Sequence, residues 1–450
     1  MLINPRKLTQ WLTAPFPIMK RKIDMIRSNI SHVLAAMLVL LHHQIGVSAS
    51  ANGDAEINFP PMLDSDDIRY YSETNDIDGL YWALSNVFRR SLRNTNAKEI
   101  VYDLPHAIVS KGGGSTYTTK YKLEMDIEQA EYLVEHLDDE EKVAYLRDVA
   151  IPTYRKVLGR IPELDQLERT GGLYAFRQAD YDDGIAEVYN KAIHVPGFNV
   201  LNDSKGNPLP LLNKNFDAAK IEAKWFGEDG AYEDADDQLS RPGVVVIDEI
   251  LSPEALARIR QLLLESTVFY QTKMPLKFGG YAGAYIDDGL HDKILLHLAF
   301  ELNQKLPRIM ANNPLKYLWC YKYDSDYSGI STHADEAAIN VNIWMTPDDA
   351  VLDKDHGGLV VFTAKPPPNS DFDYYNKNTE KAIEEIIAPT GFSNVTVPFQ
   401  YNRAVMFDSA LFHHTDAFKF KKGYKNRRIN LTILYGEMKT GGGEGGQDEL

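Results

Sequence analysis

Tyr321-Lys-Tyr-Asp-Ser-Asp-Tyr-Ser-Gly-Ile-Ser-Thr-His333-Ala-Asp335-Glu-Ala-Ala-Ile-Asn340-Val-Asn-Ile-Trp344-Met is the stretch on which the reading of this 450-residue chain turns. Tyr321 and Tyr323 belong to a strand that enters a polar turn around Gly329. His333 and Asp335 are two residues apart, so an extended backbone turns both side chains to one face. A slip of one residue in register would turn both outward. From Ala338 the residues alternate: Asn340, Asn342 and Trp344 share one face, Ile339, Val341 and Ile343 the other. The polar face is expected to line a pocket and the aliphatic face to meet a second layer.

Two later segments complete the pattern. Arg403-Ala-Val-Met-Phe-Asp-Ser-Ala-Leu-Phe-His413-His414-Thr reads as an apolar strand ending in histidine. A His-x-Asp pair plus a distant histidine can form a three-ligand face that leaves metal positions open, an arrangement suited to non-haem Fe(II). Neighbours on an extended backbone point to opposite faces, so only one of His413 and His414 can complete it. The last strand, Arg427-Arg428-Ile-Asn-Leu-Thr432-Ile-Leu-Tyr435, places Arg428, Asn430 and Thr432 together. That polar face favours Arg428 over Arg427 as the pocket arginine, able to hold an acidic co-substrate by a bidentate ion pair. Arg427 is expected to pair with a surface carboxylate.

Each element has a plainer reading. His-x-Asp in a strand is more often a solvated face than a metal site, and Tyr323, Asn342 and Trp344 could be packing residues. His356 lies in a turn-like loop and reads as a surface residue. Gly357 and Gly358 could serve only the loop backbone, since glycine admits positive φ. The four segments in order carry more than any one alone. His333-x-Asp335, Gly357-Gly358-Leu-Val-Val, Asn402-Arg403-Ala-Val-Met-Phe-Asp-Ser-Ala-Leu-Phe-His413 and Arg427-Arg428-Ile-Asn-Leu-Thr432 together resemble the Fe(II)/2-oxoglutarate dioxygenases, in particular the prolyl-4-hydroxylase-like branch.

The resemblance covers residues 240 to 438. It implies that His333, Asp335 and His413 bind iron and that Arg428 binds the distal carboxylate of 2-oxoglutarate. Thr432 would lie beside that carboxylate, and Tyr323 would contact the co-substrate. Asn342 and Trp344 are expected to line the same pocket. The implied cofactors are Fe(II), 2-oxoglutarate and O2, and the implied reaction hydroxylates a protein or peptide side chain, plausibly proline, releasing succinate and CO2. Collagen-type members carry lysine where this chain has Arg428, which speaks against a collagen-like substrate. Two other readings are a small-molecule hydroxylase of the same superfamily and a non-catalytic partner-binding protein with a degenerate jelly roll.

The implied fold is α+β: a helical N-terminal domain, then a double-stranded β-helix (jelly roll) braced by helices. Residues 52–227 read as mostly helical, with one tetratricopeptide-like hairpin over Gly172–Pro196 that is taken more plainly as a helix pair. Residues 228–242 form an acidic linker, and the second domain runs over 243–438. Within it, Ser252-Pro253-Glu254 is a helix start, with Leu256, Ile259, Leu262 and Leu263 as its buried stripe. A second helix is expected over Leu290–Leu306.

Net charge of −16 argues against a nucleic-acid partner, because phosphate binding needs a basic surface. The single cysteine, Cys320, cannot form an internal disulfide and reads as a buried small hydrophobe. Residues 1–51 resemble a targeting segment. Lys20, Lys22 and Arg27 precede the apolar run Val33–Leu41, and Ala49-Ser-Ala51 is cleavage-like. The run is too short to span a bilayer. The glycine-rich tail 439–450 ends in Gln447-Asp-Glu-Leu450, similar to a reticulum-retention signal. Together these predict the endoplasmic reticulum lumen, with the cytoplasm as the alternative.

Overall fold

The computed structural model describes residues 66–93, 116–198, 200–206, 208–228, 230, 239–367 and 372–438. The expected targeting segment 1–51 and the tail 439–450 lie outside them. The described residues belong to one compact unit, and no helix among them is long and apolar enough to cross a membrane.

The strands are β1 (Tyr117–Thr118), β2 (Tyr174–Ala175), β3 (Val244–Ile247), β4 (Gln271–Thr272), β5 (Tyr281–Tyr285), β6 (Leu315–Tyr323), β7 (Ile339–Trp344), β8 (Leu359–Phe362), β9 (Asn394–Val397), β10 (Ala404–Asp408), β11 (His413–Thr415) and β12 (Ile429–Tyr435). Seven make one antiparallel sheet in the order β3-β10-β7-β12-β6-β5-β4, and β11-β8-β9 make a smaller one. Val244, Trp344, Val405 and Phe407 from the large sheet share a core with Leu359, Val361, Val395 and Val397 from the small one. Two antiparallel sheets thus face each other across an apolar layer, consistent with a jelly roll.

The alternation seen in the sequence sets the faces. Ile339, Val341, Ile343, Leu431 and Ile433 point outward into a core shared with Ile259, Leu262 and Leu263 of one helix (Pro253–Glu265) and Leu295, Leu298 and Leu302 of another (Lys293–Lys305). Ser252 caps the first, its side chain accepting from the Ala255 amide, with Pro253 in the first turn. Leu256 is only half-buried, and Ala255 takes its place in the stripe. Asp292 caps the second, which therefore starts at Lys293 rather than Leu290. Cys320 is buried on this outer side.

The helices before residue 227 contribute to two cores. Ile68, Leu80, Ala83 and Leu84 join the outer-face core of the large sheet, because the i, i+3, i+4 stripe of the Ile77–Arg93 helix needs an apolar partner. Residues from Tyr117 to Tyr189 form a separate cluster around Leu123, Leu133, Val157 and Ile185. The expected hairpin over Gly172–Pro196 is not a helix pair. It holds β2 and two short helical turns, Gln178–Asp182 and Ile185–Val188, split where Gly184 takes a φ of 86°.

Candidate metal centre

His333 and Asp335 sit in the irregular chain before β7, not in a strand as expected. A bridge across the sheet edge places the first, the His333 amide donating to the His413 carbonyl at 3.0 Å with the reverse bond at 2.8 Å, and the Asp335 amide donates to the Ser409 carbonyl at 3.0 Å. That bridge brings the imidazole rings to 4.3 Å between centroids. His333 Nε2 lies 3.5 Å from Asp335 Oδ1, and His413 Nε2 lies 3.5 Å from Asp335 Oδ2. All three ligand atoms fall within 4.8 Å of one another.

The ring orientation is set by local backbone. His333 Nδ1 is 2.8 Å from the Ser331 carbonyl, and His413 Nδ1 is 3.0 Å from the Leu411 carbonyl. A carbonyl only accepts, so each Nδ1 carries the proton and each Nε2 lone pair turns toward Asp335. Burial would push the Asp335 carboxyl up, but the two imidazoles hold it well below the usual carboxylate range. Burial, then the neighbouring His333, lowers His413. Burial opposes charge on His333, yet Asp335 raises it above its ordinary value. Two imidazole nitrogens and one carboxylate on a common face form the donor set of an open non-haem Fe(II) site.

His414 does not enter this set. It turns away, with Nδ1 3.3 Å from Thr332 Oγ1 and its ring 5.4 Å from Phe362.

Arg428 immediately precedes β12 and is 1% exposed. Its Nε donates to the Gly357 carbonyl at 2.8 Å and its Nη2 to the Gly358 carbonyl at 3.0 Å. The guanidinium lies 4.7 Å from the Tyr323 ring centre. Nη1 is buried and has no hydrogen-bond partner. Burial lowers this cation from its ordinary value, Tyr323 and Asp416 partly offset that, and no carboxylate among the described residues lies in ion-pair contact with it. A buried charge without a counter-ion is costly, so the free donor suits an acidic ligand. The double glycine has a structural role here. A side chain on Gly358 would put Cβ 1.9 Å from the Val397 carbonyl and 2.7 Å from Trp344, blocking the close approach of backbone that meets Arg428. Arg427 turns the other way and pairs with carboxylates, as expected, though it is itself largely buried. It pairs with Glu128 at 2.7 Å and Asp324 at 2.9 Å.

The remaining expected residues line the inner face of the large sheet. Tyr323 is fully buried. Thr432 Oγ1 and Asn430 Nδ2 both donate to Asn342 Oδ1, at 3.0 and 2.6 Å. Trp344 stacks on Phe399 with ring centres 5.2 Å apart, and its indole N–H has no partner. His356 is half exposed and 3.0 Å from Asp416, as a surface residue should be.

Two residues escaped the sequence reading. Asn340 Nδ2 donates to Asp335 Oδ2 at 2.6 Å; its place on the polar face was visible, its partner was not. Asn376 comes from the insertion between β8 and β9. Its Oδ1 accepts from the Ala334 amide at 2.9 Å and its Nδ2 donates to the Ala334 carbonyl at 2.8 Å. It thereby pins the residue between the two candidate ligands. No periodic or spacing signal in the sequence marks it.

No protein-family model matches the chain, and no curated protein matches it in sequence. Solved structures similar to it include the non-heme alpha ketoglutarate dependent epimerase SnoN from nogalamycin biosynthesis, in complex with Fe3+, alpha ketoglutarate and nogalamycin RO (12% identity, 49% of this chain and 83% of that chain, TM-score 0.33). HygX from Streptomyces hygroscopicus, with nickel, 2-oxoglutarate and hygromycin B bound, is another (12% identity, 44% and 84%, TM-score 0.32). A 2OG-Fe(II) oxygenase family oxidoreductase from Burkholderia pseudomallei matches at 13% identity over 54% and 97%, with a TM-score of 0.30. The chemistry of the centre rests on the side chains described above.

Proposed function

We propose that this protein is an Fe(II)- and 2-oxoglutarate-dependent oxygenase. The observation that carries the reading is the convergence of His333, Asp335 and His413 on one point, with Arg428 buried and one donor free on the adjoining sheet face. A bound ferrous ion would supply the oxidising chemistry, coupling decarboxylation of 2-oxoglutarate to attack on a substrate C–H bond. The protein's own residues hold, orient and exclude. The two imidazoles offer Nε2 lone pairs because their Nδ1 protons are committed to carbonyls. Asp335 offers an anionic oxygen at neutral pH because its carboxyl is held low. Arg428, fixed by two glycine carbonyls and three aromatic rings, presents Nη1 to the distal carboxylate. Tyr323 and Thr432 border it, and Asn342 and Trp344 complete the wall.

The enclosure bears on the substrate. His413 is 4% exposed at its side chain, Asp335 13% and His333 24%. A small organic molecule, or a single side chain protruding from a longer chain, fits such a centre; the small-molecule reading is the one carried forward, because no observation of the site singles out a prolyl peptide. Retention in the reticulum remains a separate proposal resting on the two terminal segments.

The test is 2-oxoglutarate turnover with Fe(II), read as succinate release, against separate libraries of small molecules and peptides. The expected outcome is Fe(II)-dependent succinate release, lost in Asp335→Ala, with a mass gain of one oxygen in a small-molecule arm. Succinate release that is unchanged in Asp335→Ala contradicts the enzyme reading. Oxygen gain confined to peptides contradicts only the substrate class.

A further inference from the structure

Beside the three candidate ligands, a relay of buried polar side chains runs from β12 through β7 to Asp335. Thr432 Oγ1 and Asn430 Nδ2 donate to Asn342 Oδ1. Asn342 Nδ2 donates to Asn340 Oδ1, and Asn340 Nδ2 donates to Asp335 Oδ2 at 2.6 Å. All four relay residues ahead of Asp335 are buried, Asn340 completely. The orientation of each amide is forced by its neighbour. The Asp335 carboxylate only accepts, so Asn340 must turn its NH2 to it and its oxygen to Asn342. Asn342 must then give its nitrogen to Asn340 and its oxygen to Thr432 and Asn430. Turning either amide over would set oxygen against oxygen.

From this we infer that Asn340 is a positioning residue that keeps Asp335 a one-oxygen ligand, and that the relay ties the carboxylate's orientation to the strand adjoining Arg428. The inference rests on the metal reading above. A carboxylate can bind a metal through one oxygen or both. An ion held by these three residues would need its remaining positions for the keto acid and dioxygen. A carboxylate gripping with both oxygens would take one of them. Oδ2 also faces His413 Nε2 at 3.5 Å, but the charge-assisted hydrogen bond from Asn340 takes one of its lone pairs and draws charge from it, leaving Oδ1 the stronger ligand. The plainer role, satisfying a buried asparagine, does not require that Asn340 face a ligand oxygen or that the chain of bonds continue from it to β12.

The experiment uses the full chain with Co(II) as the probe, under anaerobic conditions, in wild type, Asn340→Leu, Asn342→Leu and Asp335→Ala. Asn340→Leu keeps the side-chain size and removes the donor. We expect it to bind Co(II) as tightly as wild type, or more tightly, because the freed oxygen can join the metal. Its 2-oxoglutarate affinity in the Co(II) form should drop by about tenfold, the scale of one hydrogen bond, because the freed oxygen would compete for a position the keto acid needs. The visible Co(II) spectrum should change on mutation before any 2-oxoglutarate is added. Asn342→Leu, one link further out, should shift both readings in the same direction by less, and it serves if Asn340→Leu does not fold. Co(II) affinity lowered in step with 2-oxoglutarate affinity would overturn the inference, as would a wild-type spectrum and wild-type affinities in a folded Asn340→Leu. If wild type takes up no Co(II), or Asp335→Ala takes it up equally well, the metal reading itself fails, and that result is distinct from the others.

Discussion

The two faces of the seven-stranded sheet are made by alternate residues of the same strands, yet they are built on opposite principles. On the outer face, Val341, Ile343, Leu431 and Ile433 are fully buried against helices and carry no polar atom to satisfy. On the inner face, Asn340, Asn342, Arg428, Asn430 and Thr432 are buried almost as deeply. Burying polar groups yields little net stability even when each is hydrogen-bonded, and costs heavily when one is not. The inner face nonetheless leaves Arg428 Nη1 and Trp344 Nε1 without partners. Stability is concentrated outside; the inside spends it on a preset constellation with donors held ready.

Substitutions on the two faces should therefore separate stability from binding. The largest effect is expected at Asp335. Asp335→Ala should weaken Co(II) binding by about 100-fold or more, since it removes the only anionic ligand, with little loss of thermal stability in the metal-free protein. Calorimetric titration and a melting curve read both. Next is Arg428→Met. It should reduce 2-oxoglutarate affinity by roughly 100-fold, because the charge-assisted contact from Nη1 is lost, while stability holds or rises because an unpaired buried charge is replaced by an apolar chain. A fall in stability with unchanged 2-oxoglutarate affinity would make Arg428 a structural residue.

On the outer face the signs reverse. Ile343→Ala should cost about 2–5 kcal/mol of unfolding free energy, read by urea denaturation, and leave Co(II) and 2-oxoglutarate affinities unchanged. The smallest effect is at the clasp. Asn376→Ala removes two hydrogen bonds to Ala334 and should cost about 1–2 kcal/mol, with a several-fold loss of Co(II) affinity. Retained metal affinity in that variant would limit Asn376 to bracing its own insertion.

The sequence carried the parts of this arrangement that depend on alternation. Period-two patterning in 339–344 and 428–435 assigned both faces correctly, because burial on one side and hydrogen bonding on the other select different residue types. Arg428 could be chosen over Arg427 for the same reason. His413 and His414 could not be separated, since which of two neighbours faces inward depends on the bridge to His333, a pairing across 80 residues. Arg427 pairs with a carboxylate as expected, but its burial was not legible, because its partner Glu128 lies on a helix far away in sequence. The Gly172–Pro196 pattern suggested helices that Gly184 interrupts. Asn376 was invisible: its insertion has no periodicity, and its function is two bonds to one distant residue.

The central claim is that one ferrous ion and one 2-oxoglutarate meet at His333, Asp335, His413 and Arg428. The most direct measurement is an anaerobic titration of the full chain with Fe(II) and then 2-oxoglutarate, followed by the weak visible absorption that a keto acid chelated to Fe(II) produces. The account predicts a band that saturates at one equivalent of each in wild type, is absent in Asp335→Ala, and needs much more 2-oxoglutarate in Arg428→Met. A wild-type protein that takes up Fe(II) and 2-oxoglutarate without the band, or a band undiminished in Asp335→Ala, would contradict it.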